Sequence, residues 1–356
     1  MSVQYSTVGE LLLRKAEDLA LDITERQYER QPDLMERFGQ TGWEKTKQDT
    51  LYTLNYLAES VLVNSPGLFT HYVSWLKDLL RQYRVTQEDL RINFELMREA
   101  LCAHFDDPNH DIVLDYMDMG LHQIMVDHDG FPSYINESNP LRVDALNYLN
   151  LLLEGDRSGA FMIVDHLLDQ GTPIKQVYQY IFQMTQYEIG RLWQQGRINV
   201  AQEHYCTAAT QAIISRLYPR WMAAGGTGYR LVAACVGKEQ HEIGLRMLTD
   251  IFELEGWDTY YLGANVPDSS LVTTVAQHQP DVVAISATMT FHIHLVKELI
   301  SKLRAYPATS HVKILVGGFP FSIDPHLWKE VGADGSAAGP DEAVRVAELL
   351  LDPEFA

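Results

Sequence analysis

The sequence predicts a multidomain α and α/β protein, with an N-terminal all-helical domain, a central four-helix bundle and a C-terminal doubly wound parallel sheet. Two changes of pattern carry this expectation. Apolar residues recur at helical spacing as far as Met222, and beyond it short β-rich runs alternate with amphipathic stretches. A chain of 356 residues with 46% hydrophobic content can bury several cores, and three domains are expected, at residues 1–130, 139–223 and 228–356.

In the first domain the helical positions are Val8, Leu11, Leu12 and Leu19, then Leu51, Leu54, Leu57, Ala58 and Val61, then Leu68, Tyr72, Trp75, Leu76, Leu79 and Leu80. Pro66 suits the first turn of the third helix. Thr86-Gln-Glu-Asp89 resembles a capping box before Leu90, and Asp111 to Val126 reads as one more helix. The turn-rich stretch from Asp129 to Pro140 marks a boundary. From Leu141 to Met222 four helical segments are broken near Gly155-Asp156, at Gly171-Thr-Pro173 and at Gly196-Arg-Ile-Asn199, and such short connections imply antiparallel neighbours. Periodicity is lost again over Ala223-Ala-Gly-Gly-Thr-Gly228. Strands follow at Leu231–Val236, Thr259–Leu262, Val282–Ser286 and Val312–Val316, with helices starting near Glu242, Ser269, His292 and Asp341.

Charge and cysteine content exclude several functions. Lys and Arg total 28 against 48 Asp and Glu, and the formal charge of −20 would repel a phosphate backbone, so direct nucleic-acid binding is not expected. Cys102, Cys206 and Cys235 are scattered with no Cys-x-x-Cys pair, which argues against a disulfide framework or a zinc site and for a reducing cytoplasm. No apolar run approaches about 18 residues, so no membrane association is expected.

Two histidine clusters carry the chemistry. Glu239-Gln-His241-Glu-Ile-Gly244 directly follows the first strand, on the loop where an open α/β sheet binds its ligand. Gly244 would let a flat ligand approach the helix closely. Ser286-Ala-Thr288 ends the third strand and Gly317-Gly318 the fourth, on the same edge; the hydroxyls can bond a polar tail and the glycines admit a close approach. Upstream, Asn199 reads as an N-cap with Gln202 at N3, which places Val200, Glu203 and His204 on one helical face, with Trp193 just before the turn.

The C-terminal domain resembles the Rossmann-like cobalamin-binding domain, whose signature is Asp-x-His-x-x-Gly, Ser-x-Leu and Gly-Gly; here Glu239 replaces Asp and Thr288 replaces Leu. The resemblance implies His241 as the lower cobalt ligand, Glu239 as the carboxylate behind it, and Ser286, Thr288, Gly317 and Gly318 beside the nucleotide tail. Trp193 followed after nine residues by Glu203-His204 is similar to light-responsive adenosylcobalamin sensors, in which a four-helix bundle caps the upper face of the cofactor. That implies Trp193, Val200 and Glu203 around the adenosyl group and His204 as upper cobalt ligand after photolysis. Light would then drive a rearrangement of domains or of a homo-oligomer and signal to an unidentified output protein, without enzymatic activity.

The N-terminal domain is similar, more loosely, to that of photocobilin-like sensors that pair cobalamin with biliverdin or another bilin. It is globin-like in character, and the likeness rests on its helical pattern and on Tyr56-Leu-Ala-Glu-Ser60 and Phe69-Thr-His-Tyr-Val-Ser-Trp75. His71, His104 and Cys102 are left unassigned toward a second chromophore. Two alternatives stay open: a corrinoid methyl carrier serving partner methyltransferases, and a metal-free interaction scaffold.

Overall fold

The computed structural model describes residues 3–104, 110–127, 130–220 and 226–352. Parts of both expected boundaries, at Asp129 and at residues 223–225, and the side chain of His104 lie outside the described residues. The chain divides into two compact units. One comprises residues 1–127, 232–241 and 262–356; the other comprises 128–231 and 242–261.

The first unit begins with five helices: α1 (Val3–Arg30), α2 (Asp33–Leu62), α3 (Pro66–Arg81), α4 (Gln87–His104) and α5 (His110–Met125). Their apolar faces meet in a core that includes Leu12, Ile23, Leu54, Leu57, Phe69, Phe94 and Met97. Helix α2 is bent at Gly39, whose φ of 62° departs from helical geometry. Pro66 opens α3, where its missing N–H costs nothing. Before α4, the Thr86 hydroxyl accepts from the Asp89 amide (3.0 Å) while the Asp89 carboxylate accepts from the Thr86 amide (2.8 Å), a reciprocal capping box. The buried Lys77 ammonium donates to the carbonyls of Ile124 (2.7 Å) and Val126 (2.8 Å), closing the end of α5.

Five strands, β1 (Arg230–Cys235), β2 (Asp258–Gly263), β3 (Val282–Ser286), β4 (Lys313–Gly317) and β5 (Gly335–Ser336), make one sheet in the order β2-β1-β3-β4-β5. The β3–β4 and β4–β5 pairings are parallel. Strand β3 is buried throughout, as a sheet covered on both faces requires. Chain order reverses between β1 and β3, so the loops leaving those strands diverge, and this is where such sheets form their ligand crevice. The two-residue β5 and the short helices Phe319–Ile323 and Leu327–Val331 escape a periodicity reading because none is long enough for its pattern to recur.

The second unit holds the helices Arg142–Leu153, Arg157–Asp169, Met184–Gln194 and Val200–Leu217. Asp156 caps the second by accepting from the Gly159 amide at 2.8 Å. The third is preceded by a π-helical stretch, Val177–Gln183, a departure that hydrophobic spacing does not reveal. Tyr148, Tyr178 and Phe182 fill the interior, and the Tyr178 hydroxyl donates to Asp250 (2.9 Å) on the helix Ile243–Leu254. Burial pushes the Asp250 carboxyl up to about 6, against the opposing pull of the Tyr178 hydrogen bond. The folded state therefore favours the protonated acid, and this stability, complete below about 3.8, is lost as pH rises through about 6. Asp250→Asn keeps an acceptor for Tyr178 without the charge; thermal melts at pH 7 are expected to show a midpoint higher by a few degrees.

Among the described residues no helix is long and apolar enough to cross a membrane.

Candidate functional site

After β1 the chain turns through Lys238, held at φ 69° with its amide donating to the Asn265 side chain at 2.7 Å. This turn delivers Glu239 into the interior, where it is fully buried. A lone carboxylate there would be prohibitively costly, so its partners decide whether it can stay charged. Oε1 accepts from the His241 amide (3.0 Å) and lies 2.5 Å from His241 Nδ1. Oε2 accepts from the amides of Thr288 (2.8 Å) and Met289 (3.0 Å), and lies 3.0 Å from His292 Nδ1. Burial alone would raise the Glu239 carboxyl, but the two histidines and the backbone amides outweigh it and hold the group well below the usual carboxylate range.

His241, by contrast, is 57% exposed at its side chain. With Nδ1 turned to a carboxylate, Nε2 becomes the nitrogen through which the ring would bind a metal, and the carboxylate makes that nitrogen a better donor. Among the described residues no group of three or more His, Cys, Asp or Glu side chains could hold a metal ion. At Gly244, three residues on, an added Cβ would meet nothing within 4 Å, leaving the helix start open to a flat ligand.

Ser286 and Gly317 are register partners at the ends of β3 and β4, so Ser286, Thr288, Gly317 and Gly318 share one sheet edge with Glu239 and His241. The two glycines differ. An added Cβ at Gly317 would meet only the Ala337 carbonyl oxygen, at 4.0 Å, whereas at Gly318 (φ 110°) it would fall 2.0 Å from the Ala287 carbonyl oxygen. What Gly318 admits is therefore the chain's own loop after β3. Gly318→Ala is expected to cost at least about 2 kcal/mol in urea unfolding, from a left-handed backbone and a backbone clash together.

In the second unit Asn199 caps the helix Val200–Leu217 in a reciprocal box with Gln202. On its first turn Val200 is exposed, and Glu203 Oε2 lies 2.6 Å from Nδ1 of His204, whose side chain is 75% exposed. Trp193, at the end of the preceding helix, is also exposed. Two open surface depressions, of about 490 Å³ beside Met119 and His122 and about 400 Å³ beside Tyr134 and Tyr180, are lined by none of these residues.

His292 is the participant that sequence reading misses. It is buried and lies 53 positions from the carboxylate it partners, and no local pattern joins residues so far apart. The short segment Phe291-His-Ile-His294 at a helix start is the only hint.

Residues 229–347 match the B12 binding domain family, and residues 147–218 match a second B12 binding domain family that precedes it. A corrinoid protein of Desulfitobacterium hafniense is 27% identical over 168 residues, 46% of this chain and 76% of that protein. Monomethylamine corrinoid protein 1 of Methanosarcina acetivorans is 34% identical over 129 residues, 35% of this chain and 57% of that protein. The solved structure of the Methanosarcina barkeri monomethylamine corrinoid protein shares the fold, with a TM-score of 0.53 at 20% identity, covering 59% of this chain and 99% of that one.

The helical match thus precedes the match over the histidine-bearing α/β region. Two regions of the chain match B12 binding domain families, and these matches indicate a corrinoid cofactor.

Proposed function

We propose that this chain is a corrinoid methyl carrier serving partner methyltransferases, with His241 as the lower cobalt ligand. The observation that carries the cobalt assignment is the contact of 2.5 Å between His241 Nδ1 and the buried Glu239. The carrier role is supported by the likeness to methylamine corrinoid proteins. When bound, a corrinoid supplies a cobalt–carbon bond that holds an alkyl group. The protein's own part is to fix an imidazole. Glu239 sets its tautomer and orientation, and the Thr288 and Met289 amides keep that carboxylate in place.

We infer adenosylcobalamin-based light sensing as the second function to test, because Val200, Glu203 and His204 share one helix start and exposed Trp193 ends the preceding helix, in the sequence spacing of such sensors. A bilin as further chromophore, light-dependent homo-oligomer assembly and an output protein would belong with that function.

Loading the purified chain with methylcobalamin or adenosylcobalamin, then sizing it in darkness and after green light, separates them. Retained methylcobalamin with no change of size supports the carrier. Retained adenosylcobalamin with a light-dependent size change, and a bis-histidine spectrum that disappears in His204→Ala, supports the sensor. Protein that stays colourless with both contradicts cobalamin chemistry altogether.

A further inference from the structure

The far end of the loop that carries His292 is gripped by α2. Tyr56 and Glu59, three residues apart and so on one face of that helix, both reach the segment. The Tyr56 ring meets Phe291 edge-on, with centroids 5.5 Å apart, and Phe291 meets His292 in turn at 4.6 Å. Glu59 Oε1 lies 2.5 Å from Nδ1 of His294. Glu59 is 1% exposed, and its second oxygen has no hydrogen-bond partner among the described residues. A buried carboxylate left half-satisfied is costly, so its retention there calls for a role. Residues 288–294 thus hydrogen-bond to Glu239 at one end and meet Glu59 at the other through an ion-pair contact at His294 Nδ1, an atom with no hydrogen-bond partner among the described residues.

We propose that Glu59, with Tyr56, is a positioning residue through which the N-terminal helical domain sets the orientation of His241, acting by way of the 291–294 segment, His292 and Glu239. The proposal rests on His241 being the lower ligand. Loss of the Glu59 contact frees the segment, His292 withdraws from Glu239 Oε2, and the carboxylate loses one of the donors that fix its direction toward His241. The N-terminal domain thereby acts on how the His241 imidazole is held.

The test uses the full chain with Glu59→Ala, Glu59→Gln and His294→Ala. In the apo protein, ring 15N–1H correlation spectra report whether His241 carries its proton on Nδ1. Wild type and Glu59→Gln, which keeps an acceptor of the same length, are expected to show that tautomer as dominant. Glu59→Ala and His294→Ala are expected to lower its fraction at least twofold. In cobalamin-loaded protein the same two variants should lose at least half of the histidine-ligated absorption band while still retaining corrinoid. If Glu59→Ala is too unstable to purify, His294→Ala, altered at a partly exposed side chain, decides the question. Wild-type tautomer and band intensity in His294→Ala, or in a folded Glu59→Ala, overturn the proposal. Failure of wild type to bind any corrinoid would instead sink the functional assignment, and the apo spectra would still judge the coupling.

Discussion

His241→Ala is expected to weaken cobalamin binding about 100-fold, or about 2.7 kcal/mol, and to abolish the base-off, histidine-ligated absorption spectrum. The ring is largely exposed and makes its close polar contact with Glu239, so the substitution removes a ligand while leaving the interior packed. Equilibrium dialysis gives the affinity and absorption gives the ligation state. An unchanged spectrum would rule out His241 as the lower ligand, whatever happened to the affinity.

Glu239→Ala acts on the fold as well as the site, and its effect on stability should be the largest of any substitution considered. Removing this carboxylate leaves the amides of His241, Thr288 and Met289 and Nδ1 of His292 without their acceptor. Loss of one partner from a buried ionic network costs about 3–5 kcal/mol. Urea unfolding at pH 7 measures it. Acid titration adds a signature, because the carboxyl is depressed in the folded state. Its contribution is complete above its ordinary value of 4.5 and is lost as pH falls below that value. Wild type should therefore lose stability steadily below about pH 4.5, and the variant should lack that part of the slope. A variant as stable as wild type would show that the amides find other acceptors and that Glu239 is not the hub of the loop.

Much of this was legible from residues alone, for identifiable reasons. Pro66, Thr86 with Asp89, and Asn199 with Gln202 are local signals, each resolved within a few residues, and the structure realises each at a helix start. The apolar runs leading to Cys235, Ser286 and Gly317 marked parallel strands because a sheet covered on both faces needs unbroken hydrophobic segments. The ligand edge then followed from topology. Sequence was silent where the cause is tertiary. Glu239 and His292 meet only because β1 and β3 are neighbours in the sheet, and Glu59 meets His294 only because α2 packs on that loop. Gly318 was legible as a glycine needed for a close approach, but that what approaches is Ala287 follows only from the fold. The π-helical Val177–Gln183 leaves no mark, since one wide turn barely shifts the hydrophobic period.

The likeness to methylamine corrinoid proteins and the Trp193–His204 spacing point toward different uses of the cofactor, but the proposed role of His241 as lower cobalt ligand is common to both. That shared lower face is open to one decisive spectrum. Protein grown with 15N-histidine, loaded with unlabelled cob(II)alamin and measured by electron paramagnetic resonance, should show each cobalt line split into a doublet by the labelled imidazole of His241. A triplet splitting that persists in the labelled protein would mean that the cofactor's own base still holds the cobalt, and would contradict the assignment.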